Sequence, residues 1–168
     1  MTALRHILSI LLLPATVTLV VPAFILSGRS ADPVAWVPAN PLSLAAGVGV
    51  IGCGLALVFV TIRQFATVGH GTLAPWDPPK HLVVEGVYRH VRNPMISGVV
   101  LILIGEVLIF RSAGLFRWAL GFLVVNLTYI PLLEEPVLER RFGDEYRQYK
   151  QHVPRWIPRR TAWTPPWA

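Results

Sequence analysis

Four long apolar runs separated by short polar breaks dominate the chain, over residues 7–26, 42–62, 95–110 and 113–133. A helix that crosses the hydrocarbon core of a bilayer needs about 20 apolar residues, within a range of ~17–25. The first, second and fourth runs have that length. The third is shorter and contains Glu106, and because it almost abuts the fourth, the pair reads as a tight helical hairpin. Beyond residue 134 the pattern changes. Leu138, Phe142, Tyr146 and Tyr149 recur at helical spacing with Arg and Glu between them, which predicts an amphipathic helix ended by Pro154 and Pro158. The tail from Trp163 to Trp167 reads as an interfacial or mobile end. The expected architecture is an all-α integral membrane protein: about four transmembrane helices and a cytoplasmic C-terminal amphipathic helix, in a single domain over 1–168.

Composition agrees with lipid as the solvent. Hydrophobic residues make up 54% of the chain and charged residues 14%, against about 25% charged in soluble domains. The first run, with Arg5 and His6 before it, has the order of a signal peptide. It exceeds the usual apolar length of about 7–15 residues and no A-x-A site follows, so a retained helix is expected. Orientation comes from the basic residues. With four spans, one side carries Arg5, Arg63, Lys80, Arg89, Arg92, Arg140, Arg141, Arg147, Lys150, Arg155, Arg159 and Arg160, and the other only Arg29, Arg111 and Arg117. Positive residues favour the cytoplasm, which places both termini and the segment 63–94 there. The net charge of +6 then reflects topology and anionic lipid. No aromatic–basic interleaving suggests nucleic acid. The single cysteine, Cys53, allows neither an intrachain disulfide nor a cysteine zinc site, and no metal is expected.

Two features inside the runs invite functional readings. Gly47, Gly49 and Gly52 match G-x-G-x-x-G, but a dinucleotide fingerprint needs a strand before it, a helix after it and an acid about 20 residues on. Here the glycines lie within an apolar run and no acid follows until Asp77. They imply close helix packing instead, with Ala45, Gly49 and Cys53 as a small-residue ridge. Glu106 is an ionisable group at membrane depth, a functional suspect by default. It stands about eleven residues, roughly 16 Å, from the inner end of its helix. That distance favours a neutral state or pairing with Arg111 or Arg117.

The informative cluster is at the inner ends of the third and fourth runs. One half is Leu82-Val83-Val84-Glu85-Gly86-Val87-Tyr88 followed by Arg92-Asn93-Pro94. The other is Glu134-Glu135-Pro136, then Phe142-Gly143-Asp144-Glu145-Tyr146-Arg147-Gln148-Tyr149, then Val153-Pro154. The hairpin brings Arg92 and its neighbours beside Glu134 and Glu135, so fixed charges of both signs meet apolar walls. That arrangement suits a zwitterionic, partly aromatic ligand at the membrane surface, or a plain network of ion pairs.

These two halves resemble the isoprenylcysteine carboxyl methyltransferase and phospholipid methyltransferase superfamily over about residues 80–158, while the first two runs match only in being apolar. The resemblance implies an S-adenosylmethionine-dependent methyltransferase of a membrane, by its small size a bacterial inner membrane. Its acceptor would be a hydrophobic small molecule or lipid. The cofactor contacts it implies are Lys80, His81, Leu82, Val83, Tyr88, Arg92, Asn93, Pro94, Met95, Ile96 and Glu134. Asn93 stands where many members have histidine, and Ile96 where they have an aromatic residue. Ile130 occupies the position of an arginine that contacts a carboxylate acceptor in prenylcysteine enzymes, which points to a thiol, amine or phospholipid headgroup instead. An amine or neutral thiol needs a base, for which His81, His90 and Glu135 are candidates. Two other readings compete: an NADPH-dependent reductase related to the membrane sterol reductases, which typically carry tryptophan where Tyr146 stands, and a non-catalytic membrane scaffold.

Overall fold

The computed structural model describes residues 11–28, 40–69 and 80–167. The beginning of the first apolar run, the loop around Pro33–Trp36–Pro38, and residues 70–79 lie outside the described residues. All regular structure among the described residues is helical.

The first helix, α1, is wound as a π-helix over Leu11–Val20 and continues as an α-helix over Val21–Ser27. Helix α2 spans Pro41–Thr67. It opens with a capping box in which Asn40 Oδ1 accepts from the Ser43 N–H at 2.7 Å and Ser43 Oγ accepts from the Asn40 N–H at 3.3 Å. Helix α3 spans Pro94–Phe110 and stops at Arg111, whose φ of 46° is left-handed. Ser112 then caps α4, Ala113–Tyr129, by accepting from the Leu115 N–H. The tight hairpin read from the sequence is therefore present.

Helix α4 does not end at residue 133. It passes through a π-wound turn, Ile130–Glu134, directly into α5, Glu135–His152, giving one helical run from 113 to 152. Pro131 has no N–H and its ring crowds the carbonyl four residues back. Widening the turn relieves that crowding, and the Glu135 N–H reaches Ile130 O, five residues back. Two helices, Pro41–Thr67 and Ala113–His152, are long and apolar enough to cross a membrane; Pro14–Ser27 and Pro94–Phe110 are apolar and shorter.

Helices α2 and α3 form the tightest pair, held by glycines. A Cβ added to Gly47 would stand 2.7 Å from Gly105 O, and one on Gly54 would stand 2.6 Å from Gly98 O; the reciprocal positions are equally crowded. Two glycines seven residues apart on one helix thus face two at the same spacing on its antiparallel partner. The ridge expected at Ala45, Gly49 and Cys53 is on the wrong face: all three are exposed and nothing lies within 4 Å of a Cβ on Gly49. The reading of the glycine motif as packing is right through Gly47, and the neighbouring face carries it.

Val58, Val99, Ile102 and Leu103 make the core of this pair, with Val17 of α1 and Trp118 and Phe122 of α4 against it. Trp118 Nε1 donates to Val17 O at 3.0 Å; five residues on from Val17 stands Pro22, which has no N–H to offer that carbonyl. Outward, Leu55 and Phe59 of α2 and Phe116, Leu120, Val124 and Val125 of α4 are exposed. An apolar surface of that extent suits lipid rather than water. Glu106 is buried at 9% exposure with Oε2 lacking a hydrogen-bond partner, and among the described residues it forms no ion pair with Arg111 or Arg117, both exposed.

Candidate functional site

The segment after Lys80 is built as a clasp around the start of α3. Gly86 has a φ of 49°, a conformation glycine adopts without strain. Gln64 of α2 approaches it so closely that a Cβ there would be 2.2 Å from Nε2, which donates to Glu85 O at 2.9 Å. The turn Gly86–Arg89 then buries Tyr88, which stacks on Phe65 with ring centres 5.6 Å apart. Gly, Tyr and the preceding apolar residues of the motif are thus needed for one local shape.

Helix α5 closes over this clasp. Tyr146 and Tyr149 are buried with Val84 and Val153, and Leu82, Leu138 and Phe142 pack against them, so the aromatic stripe forms a single cluster. Gly143, with φ 56° and ψ −128°, kinks the helix within the stripe. The Tyr149 hydroxyl donates to Tyr88 O at 2.7 Å. Burial pushes all three phenols up, Tyr146 to about 12, so they stay neutral donors.

At the centre lies Glu135, 3% exposed. Arg155 grips it through two hydrogen bonds, Nε–Oε1 at 2.7 Å and Nη2–Oε2 at 2.9 Å. Arg92 Nη1 is 3.0 Å from Glu135 Oε1, an ion pair without hydrogen-bond geometry, which leaves Arg92 Nε and Nη1 buried with no hydrogen-bond partner. The Arg92 backbone N–H donates to Pro154 O at 3.0 Å, and Asn93 Nδ2 donates to Arg155 O at 3.4 Å. The neighbouring Glu134, just beyond the apolar run, is half-buried, and among the described residues no hydrogen bond or ion pair reaches it. Burial, and then the Glu135 charge, hold its carboxyl above the usual range.

The structure places Arg92 and Asn93 beside Glu134 and Glu135, with Tyr88 next to them. Val83 and Pro94 are buried, and Leu82, Met95 and Ile96 are half-buried around the same clasp. Lys80 and His81 are exposed at its edge. Ile130 is buried, 1% exposed, in the widened turn. The sequence does not single out Arg155, and it marks the tail from Trp163 to Trp167 as an interfacial or mobile end. Trp163 packs on Tyr149 and stacks on His152, its backbone N–H donates to Arg89 O, and its own backbone carbonyl accepts from Arg89 Nε at 2.7 Å. The tail is thus part of the clasp, not a loose end.

Beside the clasp is a cavity of about 670 Å³ whose apolar wall includes Leu57 of α2, Val100 and Leu101 of α3, Leu123 and Leu127 of α4, and Trp156. His90 and Ser97 also line it. They flank the stretch Arg92–Ile96 in sequence, so the cavity and the charged clasp share a wall.

Helices that expose apolar faces, with a charged clasp at their ends and no other regular structure among the described residues, define a membrane protein. The sequence model of the family described as "Phospholipid methyltransferase" matches residues 42–145, and the chain belongs to that family. The match reaches back through α2, which the sequence had related to the superfamily only by its apolar character. A Haemophilus influenzae protein named "Uncharacterized protein" is 57% identical over 35 residues, 21% of this chain. The chain covers 54% of the length of that curated relative. No solved structure matches.

Proposed function

We propose that the protein transfers a methyl group from S-adenosylmethionine to a hydrophobic or membrane-partitioned acceptor at the cytoplasmic face of a membrane, in a four-span topology with both termini cytoplasmic. The observation that carries this reading is the clasp itself: a buried, unpartnered Arg92 Nε and a half-buried Glu134 without a cation, in one small site beside an apolar cavity. The residues fit an amino-acid zwitterion. Arg92 would meet its carboxylate, Glu134 its ammonium, and Tyr88 and Val83 would supply apolar contact. When bound, S-adenosylmethionine supplies a methyl group already activated as a sulfonium. The chain's own task is to orient the acceptor in line and exclude water. The neutral phenols of Tyr146 and Tyr149 and the Glu135 ion cluster hold that geometry from behind.

Titration calorimetry of the purified protein with S-adenosylmethionine and with NADPH tests the reading; heat with NADPH alone would replace it by a reductase. Within it, Glu134→Ala should weaken S-adenosylmethionine by about 1.5–3 kcal/mol, the worth of a charge-assisted hydrogen bond, or roughly tenfold to over a hundredfold. Equal affinity in the variant would remove Glu134 from the site. The topology is tested separately by reporter fusions after Arg111 and after Arg160. They should report opposite sides of the membrane, Arg160 on the cytoplasmic one, and a shared side would rule the four-span arrangement out.

A further inference from the structure

His90 is the titratable side chain on the wall of the apolar cavity, and its ring is oriented from behind. Its Nδ1 lies 2.9 Å from the Arg159 carbonyl oxygen, and its own backbone carbonyl accepts from the Arg159 N–H at 3.0 Å. A carbonyl oxygen can only accept, so Nδ1 carries the hydrogen. In the neutral ring Nε2 is then a bare lone pair. The second polar group on the wall is similarly committed. Ser97 Oγ donates its hydrogen to Asn93 O at 3.0 Å, so it offers the cavity lone pairs only. Apart from the Trp156 indole, the remaining lining is hydrocarbon and proline, and no lining side chain is cationic. Arg155 next to the cavity is already bound to Glu135, and Arg159 donates to His152 O.

Beyond the Trp156 indole N–H, the polar groups of the wall are the His90 and Ser97 lone pairs, with no cation among them, and such a wall suits a neutral ligand group that brings its own hydrogen. We infer that the acceptor is an aliphatic thiol whose chain lies in the cavity, and that His90 Nε2 is the base that takes its proton. The inference rests on the methyl-transfer reading and names its substrate class. As the acceptor's sulfur lone pair forms a bond to the methyl carbon, the carbon–sulfonium bond breaks and its electron pair stays on the departing sulfur. The proton of the thiol passes to Nε2, giving an imidazolium. A carboxylate acceptor has no proton to give and would lie uncompensated in this cavity. Of the three candidate bases, Glu135 is held by two arginines and His81 is exposed at the edge of the clasp, whereas His90 faces the chamber.

The test uses the whole protein in liposomes with labelled S-adenosylmethionine and three acceptors of one chain length: dodecanethiol, dodecylamine and dodecanoate. The thiol should be methylated and neither dodecanoate nor dodecylamine, an ammonium ion at neutral pH, should be; methylation of the amine in place of the thiol overturns the substrate class. His90→Asn keeps an N–H for the Arg159 carbonyl but removes Nε2. It should lower turnover of the thiol at neutral pH by about a hundredfold or more, the usual worth of a positioned base, with S-adenosylmethionine affinity unchanged. Above the pKa of the thiol its rate should climb back towards wild type, because a thiolate needs no base. A merely structural role would not give that pH-selective recovery. Methylation of dodecanoate as efficiently as the thiol overturns the substrate class, even if the variant does not fold. A loss in His90→Asn that is the same at every pH overturns the base. Failure of the wild-type chain to bind S-adenosylmethionine at all would instead bring down the methyl-transfer reading.

Discussion

Glu135→Ala should unfold the clasp, while Glu134→Ala, one residue away, should leave the melting temperature near that of wild type. Glu135 is 3% exposed and is shared by Arg92 and Arg155. Removing one member of a buried ionic cluster strands the others, at a cost of about 3–5 kcal/mol. In a chain of this size each kcal/mol moves the midpoint by about 2–4 °C, so thermal unfolding in detergent should drop by roughly 10 °C. Glu135→Gln keeps hydrogen-bond acceptors and should lose less. Glu134 has no partner among the described residues to strand, and its half-buried carboxyl is held above the usual range by burial and by Glu135, so its neutral replacement removes a mild strain. A Glu135→Ala protein that melts with the wild type would show that the two arginines find other partners and that the cluster is not what holds α5 to α3.

The second large effect belongs to the glycines between α2 and α3. Gly54→Leu should prevent the pair from closing, because even the first carbon of the side chain would meet Gly98 O at 2.6 Å. Backbone cannot step aside as a flexible side chain does. Gly54→Ala should already cost about 1–3 kcal/mol, the range for overpacking a close contact. Gly49→Ala, less than two turns away on the open face, meets nothing within 4 Å and should be neutral or gain up to about 1 kcal/mol from helix propensity. Folded yield and thermal midpoint of the three variants give the comparison. Equal behaviour of Gly49→Ala and Gly54→Ala would mean that the helices do not touch through these glycines.

Much of this arrangement is legible before any coordinates. Hydropathy alone marks the long helices, and the short break at Arg111–Ser112 forces a hairpin. That hairpin in turn predicts the meeting of Arg92 with Glu135, an ion pair at 3.0 Å. The spacing of Leu138, Phe142, Tyr146 and Tyr149 marks one packed face. The small-residue ridge was misplaced for a physical reason. A row of small residues on one helix does not say where its partner lies, and Ala45, Gly49 and Cys53 have no counterpart elsewhere. Gly47 and Gly54 do: Gly98 and Gly105 repeat their interval on a neighbouring helix, and matching intervals on two helices are the better signal. Arg155 was hidden among many basic residues near the C-terminus, where charge alone cannot tell a lipid-facing arginine from one that ligates a carboxylate. Trp163 was read from its proline-rich surroundings, which say that no helix continues but not what the chain folds against.

The widened turn at Ile130–Glu134 sets the phase of the helix that leaves it, as far as the kink at Gly143. Each residue advances a helix by about 100°, so a turn that closes five residues back instead of four delays the following surface by one such step. Upstream, Phe116, Leu120, Val124 and Val125 face outward; downstream, Glu135 faces inward, and beyond the kink at Gly143 so do Tyr146 and Tyr149. The turn works as an angular offset between two sections of a shaft, one keyed to lipid and the other to the charged clasp. Loss of a single residue there would preserve the helix and its composition, yet rotate the acidic and aromatic side chains away from the arginines that receive them. In this stretch the number of residues is therefore constrained more tightly than their identity.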